Sequence, residues 1–309
     1  MTSSSRPHLR VHEEVATALA EGRAVVALET TIVVHGLPAP HNLEVAAECE
    51  AVVRAAGAVP ATIGVVGGVL AIGMGTAVLE ELADPSRHSA KLSARDLGFA
   101  VATRSDGATT VAGTIAAARY AGIDVMATGG LGGVHRGAQS SFDESADLTA
   151  LSRTSVVVVA SGVKSILDIG ATLERLDSLG VPVVGYRTSR FPGFYRSDSG
   201  FALDWSVTSP ETAAAAFDAH RHWSPTGFLV ANPVAEDCQL DAAVHDEALA
   251  AALAHAQESG ASGKEVTPVV LAEFARATAG SSVQVNRDLV VSNAAVAAEI
   301  AVALARLSS

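Results

Sequence analysis

The segment 127–148, ATGGLGGVHRGAQSSFDESADL, combines glycines with basic and acidic side chains. Its glycines can bring the backbone close to a ligand, and their amides can bind an anion. His135 and Arg136 suit the binding of a phosphate or an acid–base step. These residue types together predict a ligand-binding loop. The glycines are Gly129, Gly130, Gly132, Gly133 and Gly137.

The same segment contains three acids that could hold a metal ion. Asp143, Glu144 and Asp147 offer oxygen ligands to a hard divalent cation. Histidine and carboxylate without cysteine favour manganese or magnesium over structural zinc. The alternative is that the acids cap the helix that follows, which explains one acid but not all three.

Lys164 follows the apolar run SVVVVASGV and is predicted to open a helix. The helix dipole and partial burial would both disfavour its charged form. A neutral lysine is a nucleophile suited to imine formation with a carbonyl. Open α/β sheets also bind ligands at the carboxyl ends of their strands. The alternative is an ordinary lysine at a helix start.

Two further charged residues are candidates for the same site. Glu29 lies in the apolar run VVALETTIVV, where a carboxylate is costly unless it is paired or functional. A raised pKa would suit Glu29 to acid–base catalysis, and a structural hydrogen bond is the alternative. Lys91, in KLSARDL, is a candidate anion binder or a solvated surface lysine.

Strand-like and helix-like patterns alternate along most of the chain. Strands are predicted at 24–33, 123–128, 155–160 and 181–186, and helices at 42–57, 109–122 and 164–180. The last third is predicted to be helical at 210–223, 246–260 and 267–280. This order predicts an α/β fold in a single domain, with a central mixed, largely parallel sheet flanked by helices. Residues 1–20 are interpreted as a polar tail and the start of the first helix, and 21–309 as the domain.

Composition limits the classes of partner. A formal net charge of -12 over 309 residues argues against nucleic acid or an anionic membrane as the main partner. Cys49 and Cys238 are predicted to be reduced thiols of a cytoplasmic protein, and the N-terminus lacks the apolar core of a signal peptide. The uncharged stretch around Gly67 and Gly68 is predicted to be a β-hairpin and not a membrane span.

Several long motifs resemble those of the pseudouridine-5'-phosphate glycosidases, a family that includes the indigoidine-cluster "A" proteins. The resemblance extends from about Val25 to Ala301. The motifs, in chain order, are VALETTIVVHGLPAPHN, KLSARDL, GATTV, ATGGLGGVHRGAQSSFDESADL, SGVKSILDIGATLE, VANPV and GKEVTP.

This resemblance implies a reversible reaction in which pseudouridine 5'-phosphate and water give uracil and ribose 5-phosphate. The bond that breaks joins two carbons, so the glycosidase route that protonates a leaving oxygen does not apply. The resemblance implies instead that the ribose ring opens and that C1' is attached to a lysine as an imine, which acts as the electron sink.

The resemblance also implies a role for individual residues. Lys164 corresponds to the Schiff-base nucleophile, Glu29 to the proton donor and Asp143 to the ligand of one Mn²⁺ per subunit, with water completing the shell. The expected substrate contacts are Lys91, Val111, Ser145, Ala146 and Asp147, with His135, Arg136 and Asn286 as further site residues. A homotrimer is expected.

Two small departures from the family pattern leave these roles in place. LETT stands where LEST is common, and SGVKS where AGAKS is common. Neither change removes a chemical group that the reaction needs. The alternatives are another lysine Schiff-base lyase or isomerase of phosphosugars and a non-catalytic nucleotide-binding protein.

Overall fold

The structure is a computed structural model that describes residues 8–260 and 266–307. The predicted tail lies outside the described residues as far as residue 7, and the GKEVTP motif lies outside them at 263–265. Residues Leu9–Val11, interpreted from sequence as part of the tail, form a parallel edge strand against Leu70–Ile72. The division into a tail ending at 20 and one domain to 309 stays a prediction.

The strands are mostly short, and those at the centre of the sheet are buried. They are β1 (Leu9–Val11), β2 (Val25–Leu28), β3 (Val59–Val66), β4 (Val69–Ile72), β5 (Ala90–Leu92), β6 (Gly107–Thr109), β7 (Val125–Ala127), β8 (Val134–His135), β9 (Val157–Ala160), β10 (Leu167–Asp168), β11 (Val183–Tyr186), β12 (Ser206–Val207) and β13 (Phe228–Ala231).

The predicted mixed, largely parallel sheet is confirmed. Within the described residues, eleven strands form one sheet with the order β1-β4-β3-β2-β7-β9-β13-β11-β12, and β5 and β6 branch from β3. The pairs β3–β4 and β3–β6 are antiparallel and the other pairs of this sheet are parallel. Strands β8 and β10 form a separate antiparallel pair.

Helices cover the sheet, as the alternating pattern predicts. They are α1 (Glu13–Ala20), α2 (His41–Ala55), α3 (Thr76–Ala83), α4 (Leu97–Ala102), α5 (Val111–Ala121), α6 (Ala138–Ser141), α7 (Ala146–Arg153), α8 (Ile169–Ser178), α9 (Pro210–His220), α10 (Ala242–Glu258), α11 (Val266–Ala277) and α12 (Ser281–Leu307). The predicted helices at 42–57 and 109–122 are confirmed, and Gly122 ends α5 in the left-handed conformation.

The predicted hairpin is confirmed. Strands β3 and β4 pair antiparallel around Gly67 and Gly68. Both glycines have positive φ values, 57° and 75°, which a tight two-residue turn requires and which side chains disfavour. Glycine is needed at 68 for a second reason, because a Cβ there would lie 2.6 Å from the Cα of Arg104.

Helix α12 was missed from sequence, although it packs against β2, β7 and β9 as well as α2 and α9. Its length and apolar composition would suffice to cross a membrane, but 56% of its most apolar window is buried inside the protein. It is therefore a core helix of this fold, with Leu289, Ala297 and Ile300 fully buried.

The strand predicted at 24–33 is too long. It ends at Leu28, and Ile32–Gly36 form a π-helical turn. A side-chain hydrogen bond stabilises this turn: Thr30 Oγ1 donates to the Ile63 carbonyl at 2.8 Å. The β-branched residues that follow favour a strand by propensity, and tertiary contacts override that preference.

The prediction that Lys164 opens a helix is wrong, and the helix-dipole argument for its chemistry is wrong with it. Leu167–Asp168 pairs with Val134–His135 as a strand. Asp168 then caps α8, accepting a hydrogen bond from the Ala171 amide at 2.9 Å. Strand pairing thus uses the residues that periodicity assigns to the first helical turn.

Candidate active site

A cavity of about 710 Å³ opens at the carboxyl ends of the parallel strands β2, β7 and β9. Leu28 pairs with Ala127, and Ala127 with Val159, so these three strands end at nearly the same level. Residues that follow each strand therefore meet at one edge, although the sequence separates them widely. The predicted site residues that line the cavity are Glu29, Lys91, Val111, His135, Asp143, Ser145, Ala146, Asp147 and Lys164.

Glu29 follows β2 directly and is 9% exposed. Its carboxylate accepts a hydrogen bond from the hydroxyl of Thr128, which follows the neighbouring strand β7. Burial raises the pKa of Glu29, while the positive charge of Lys164 and the Thr128 hydrogen bond oppose that rise. The carboxyl group is thus biased towards holding a proton inside the cavity, which suits a proton donor.

Lys164 lies in the turn between β9 and β10, where Gly162 has a φ of 74°. Its amide donates to the carbonyl of Leu131 at 3.1 Å, which joins it to the glycine-rich segment. A Cβ built on Gly130 would lie 3.5 Å from Cγ of Lys164, so the side chain passes closely over that glycine. Backbone pairing therefore positions this lysine on the same cavity wall as Glu29.

Two helices begin at the cavity. Thr110 caps α5 and Ser145 caps α7, each with its hydroxyl. Val111 and Ala146 are the first residues of these helices, where amides have no acceptor within the helix. Lys91, on β5, lines the same cavity. Two positive helix ends and a lysine form a suitable environment for an anion.

Asp147 connects these helix ends. Its carboxylate is 5% exposed and accepts from the Ala112 amide and from the Gly132 amide, each at 2.9 Å. It thereby joins the first turn of α5 to the glycine-rich segment. We interpret it as a positioning residue for the backbone at this end of the cavity.

The other two acids differ in their surroundings. Glu144 also lines the cavity, and its carboxylate pairs with Nε of Arg175 at 2.9 Å, where both side chains are exposed. Asp143 lies 3.9 Å from Nδ1 of His135, and both line the cavity. Nowhere in the described chain do three or more His, Cys, Asp or Glu side chains come together as a metal site. The three-acid metal site is therefore not formed, and Asp143 remains the candidate ligand.

The chain matches the family model described as "Indigoidine synthase A like protein" over residues 14–303.

The chain belongs to this family.

Similar members of the family share most of the chain. A pseudouridine-5'-phosphate glycosidase of Salinispora tropica is 60% identical over 300 residues, covering 96% of this chain and 92% of the relative. The enzyme of the same name from Chloroflexus aurantiacus is 51% identical, covering 97% and 99%. The crystal structure of the prealnumycin C-glycosynthase AlnA in complex with ribulose 5-phosphate has a TM-score of 0.89 and 41% identity, covering 97% of this chain and 98% of that one.

The glycines of this indigoidine synthase A-like chain mainly serve close packing. A Cβ on Gly130 would lie 2.5 Å from the Phe194 ring, and one on Gly133 would lie 2.4 Å from Oγ1 of Thr172. The Gly132 amide is engaged by Asp147. At these positions the backbone therefore lies close to other protein atoms, whereas the sequence predicted a close approach to a ligand.

Two predicted site residues lie outside the main cavity. Asn286, on α12, lines a narrow inner cavity of about 40 Å³ that also touches Glu29 and Lys164. Its Oδ1 is buried and has no hydrogen-bond partner among the described residues. Arg136 is exposed and is absent from the lining of both cavities. Its role in the site stays a prediction.

Sequence analysis missed the residue that holds the strand ends together. Asn293, fully buried on α12, donates to the Thr128 carbonyl at 2.8 Å and to Oγ of Ser161 at 3.1 Å. It also accepts from the side-chain amide of Asn232 at 2.9 Å. An asparagine in an apolar helix was the available signal, since a buried amide must be paired.

Proposed function

We propose that this protein reversibly cleaves the C-glycosidic bond of pseudouridine 5'-phosphate, giving uracil and ribose 5-phosphate. The observation that carries the proposal is the convergence of Lys164 and the buried Glu29 on one cavity. Breaking a carbon–carbon bond needs a group that supplies electrons at C1' and a group that delivers a proton to the base. The names of the similar relatives support the same reaction.

The neutral amine Nζ of Lys164 bonds to C1' as the C1'–O4' bond breaks, and the proton that Nζ loses goes to O4'. The nitrogen lone pair then forms the C1'=N imine as the C1'–C5 bond breaks, and C5 of the base takes a proton. Water hydrolyses the imine to release ribose 5-phosphate. Electron counting therefore makes the imine a product of the bond cleavage, and not the electron sink that the family resemblance implies; the amine lone pair of Lys164 supplies the electrons.

We assign Glu29 as the donor of the proton to C5. Its raised pKa keeps the carboxyl group protonated to higher pH than an exposed glutamate. A positioned general acid contributes about 10²–10⁴-fold to a rate. Thr128, whose hydroxyl donates to the Glu29 carboxylate, orients the group.

The phosphate is proposed to bind between the first turns of α5 and α7, close to Lys91. The amides of Val111 and Ala146 and the Ser145 hydroxyl are the available polar groups, and Asp147 holds the two helix ends in register. This local arrangement lets an anion bind to a protein of net charge -12.

A Mn²⁺ ion is proposed at Asp143, with His135 beside it. Carboxylate oxygen and imidazole fit manganese, and other divalent cations of the same class would also fit. With one carboxylate as the protein ligand, such an ion keeps several waters and gains affinity from a bound phosphosugar. When bound, the ion supplies positive charge that stabilises developing negative charge on oxygen.

Two measurements test the proposal together. Free uracil is followed by chromatography after mixing the protein with pseudouridine 5'-phosphate and manganese. Borohydride reduction with ribose 5-phosphate then traps any lysine imine, and peptide mass spectrometry identifies the modified residue. We expect uracil release and trapping at Lys164 in the wild type.

Two variants test the identity of the nucleophile separately from the reaction itself. Lys164→Ala should lose both signals, whereas Lys91→Ala, the matched change at the other described lysine of the cavity, should retain trapping at Lys164 when ribose 5-phosphate is raised. Uracil release by Lys164→Ala would contradict the assignment of Lys164 as the nucleophile. No uracil from the folded, metal-supplied wild type would contradict the function and favour another Schiff-base phosphosugar enzyme.

We further propose that the protein is a homotrimer in the cytoplasm. Both cysteines are free thiols, which fits a reducing compartment. Exposed aromatic side chains, Phe142, Trp205 and Trp223, offer apolar surface for subunit contact. Light scattering coupled to size-exclusion chromatography should give three times the chain mass of 31.3 kDa. A monomeric mass would contradict the trimer.

A further inference from the structure

A second cavity of about 420 Å³ lies behind the inner end of the site. Its walls are the π-helical turn Ile32–Gly36, helix α11 and the first turns of α12. It reaches the surface beside Pro38 and Ala272, which are both exposed. We call it the outer cavity.

The outer cavity adjoins the main cavity through the inner one. The inner cavity of about 40 Å³ shares Glu29 and Lys164 with the main cavity, and shares His35, Leu271 and Asn286 with the outer cavity. The three cavities therefore form a row from the reacting groups to a second opening at the protein surface.

The two ends of this row differ in charge. Lysine, arginine and acidic side chains line the main cavity, including Lys91, Arg95 and Asp143. The residues that line the outer cavity carry no formally charged side chain apart from the titratable His35. Burial lowers the pKa of His35, and the nearby charge of Lys91 acts in the same direction, so this imidazole is neutral at pH 7.

The route also has polar groups that suit a neutral heterocycle. Oδ1 of Asn286 and Nε2 of His35 are buried, and neither has a hydrogen-bond partner among the described residues. A pyrimidine base carries both N–H and C=O groups that can pair with them. An anionic phosphosugar would instead lose its basic surroundings on entering this neutral passage.

We propose that this row of cavities is the path by which the free pyrimidine base leaves and enters while the phosphosugar remains attached to Lys164. The inference rests on the proposed function. Once the bond breaks, the phosphosugar occupies the main cavity, and the base lies on its inner side next to Glu29 and Asn286. A second opening lets the base leave without displacing the covalent intermediate.

Leu271 on α11 lies where the inner and outer cavities meet. The inner cavity is too small for a pyrimidine ring, so α11 or the Leu271 side chain must move as the base passes. Helices α10 and α11 pack mainly against each other, which leaves α11 few contacts to break.

The test uses Ala275→Phe, which fills the outer cavity without touching the main one. In the synthetic direction, we expect the KM for uracil to rise about tenfold or more, because the base associates more slowly, with the KM for ribose 5-phosphate unchanged. Ala277→Phe, at an exposed position on the same helix, is the matched control and should behave as wild type.

A second variant keeps the test decisive if Ala275→Phe does not fold. Leu271→Ala widens the junction of the two cavities and should accelerate the exchange of uracil, measured as the incorporation of isotope-labelled uracil into pseudouridine 5'-phosphate. Wild-type uracil kinetics in the folded variants would overturn the passage while leaving the enzyme function intact. Absence of uracil production by the wild type would overturn both.

Discussion

Asp147 provides a sharp test of how the cavity is built. Its carboxylate accepts from two backbone amides, those of Ala112 and Gly132, in a nearly water-free position. In Asp147→Asn one oxygen becomes an NH₂ donor that must face another donor. Hydrogen bonds to charged acceptors contribute about 1.5–3 kcal/mol each, and an unpaired buried amide costs about 1–3 kcal/mol. We expect Asp147→Asn to lower the free energy of unfolding by about 2–4 kcal/mol.

Glu144→Gln is the matched control because it neutralises a neighbouring acid of the same segment. Glu144 pairs with Arg175 where the two side chains are 37% and 44% exposed. An exposed ion pair of this kind contributes about 0–1 kcal/mol. Urea unfolding followed by circular dichroism measures both variants. Equal stability of the two would refute our interpretation that Asp147 holds the helix ends, and would favour a direct contact with substrate.

Three further predictions concern other groups of the site. Because burial raises the pKa of Glu29, its contribution to stability is complete below the unfolded pKa and is lost as pH rises through the folded pKa. Glu29→Gln should therefore raise the Tm relative to wild type at about pH 8 but not at about pH 4. The same variant should lose uracil release. Equal Tm shifts at both pH values would contradict the raised pKa of Glu29. Asn293→Ala should lower the free energy of unfolding by about 2–4 kcal/mol, because its buried partners lose their hydrogen bonds. Gln284→Ala, which removes an amide from an exposed position of the same helix, should lower it by less than about 1 kcal/mol, and urea unfolding measures both. Asp143→Ala should weaken Mn²⁺ binding, measured by electron paramagnetic resonance, without lowering the Tm of the metal-free protein, and unchanged Mn²⁺ affinity would refute the assignment.

Local patterns predicted much of the fold. Alternating strand and helix patterns indicated a parallel α/β architecture, because apolar periodicity reports which face of an element is buried. The hairpin at Gly67 and Gly68 was predictable, since turn chemistry is local. The cavity-lining positions of Glu29 and Lys164 also agree with prediction, because residues after parallel strands gather at one edge.

The errors occurred where distant contacts decide local structure. Helical periodicity over 164–180 predicts that Lys164 opens a helix, but Leu167 and Asp168 pair with the strand Val134–His135. Likewise, Ile32 has strong strand propensity and lies in a π-helical turn. In both cases the competing interaction comes from a part of the chain that the local window does not contain.

The sequence by itself determined the family, the architecture and the candidate chemical groups, because long motifs and short-range periodicity carry that information. Tertiary structure alone decided how those groups are used. In the folded chain, Asp147 accepts hydrogen bonds from backbone amides, and Asp143 lies beside His135. Asn286 and Asn293 of α12 lie at strand ends that are far away in sequence. These outcomes depend on which donors and acceptors meet after packing, and spacing along the chain does not specify that.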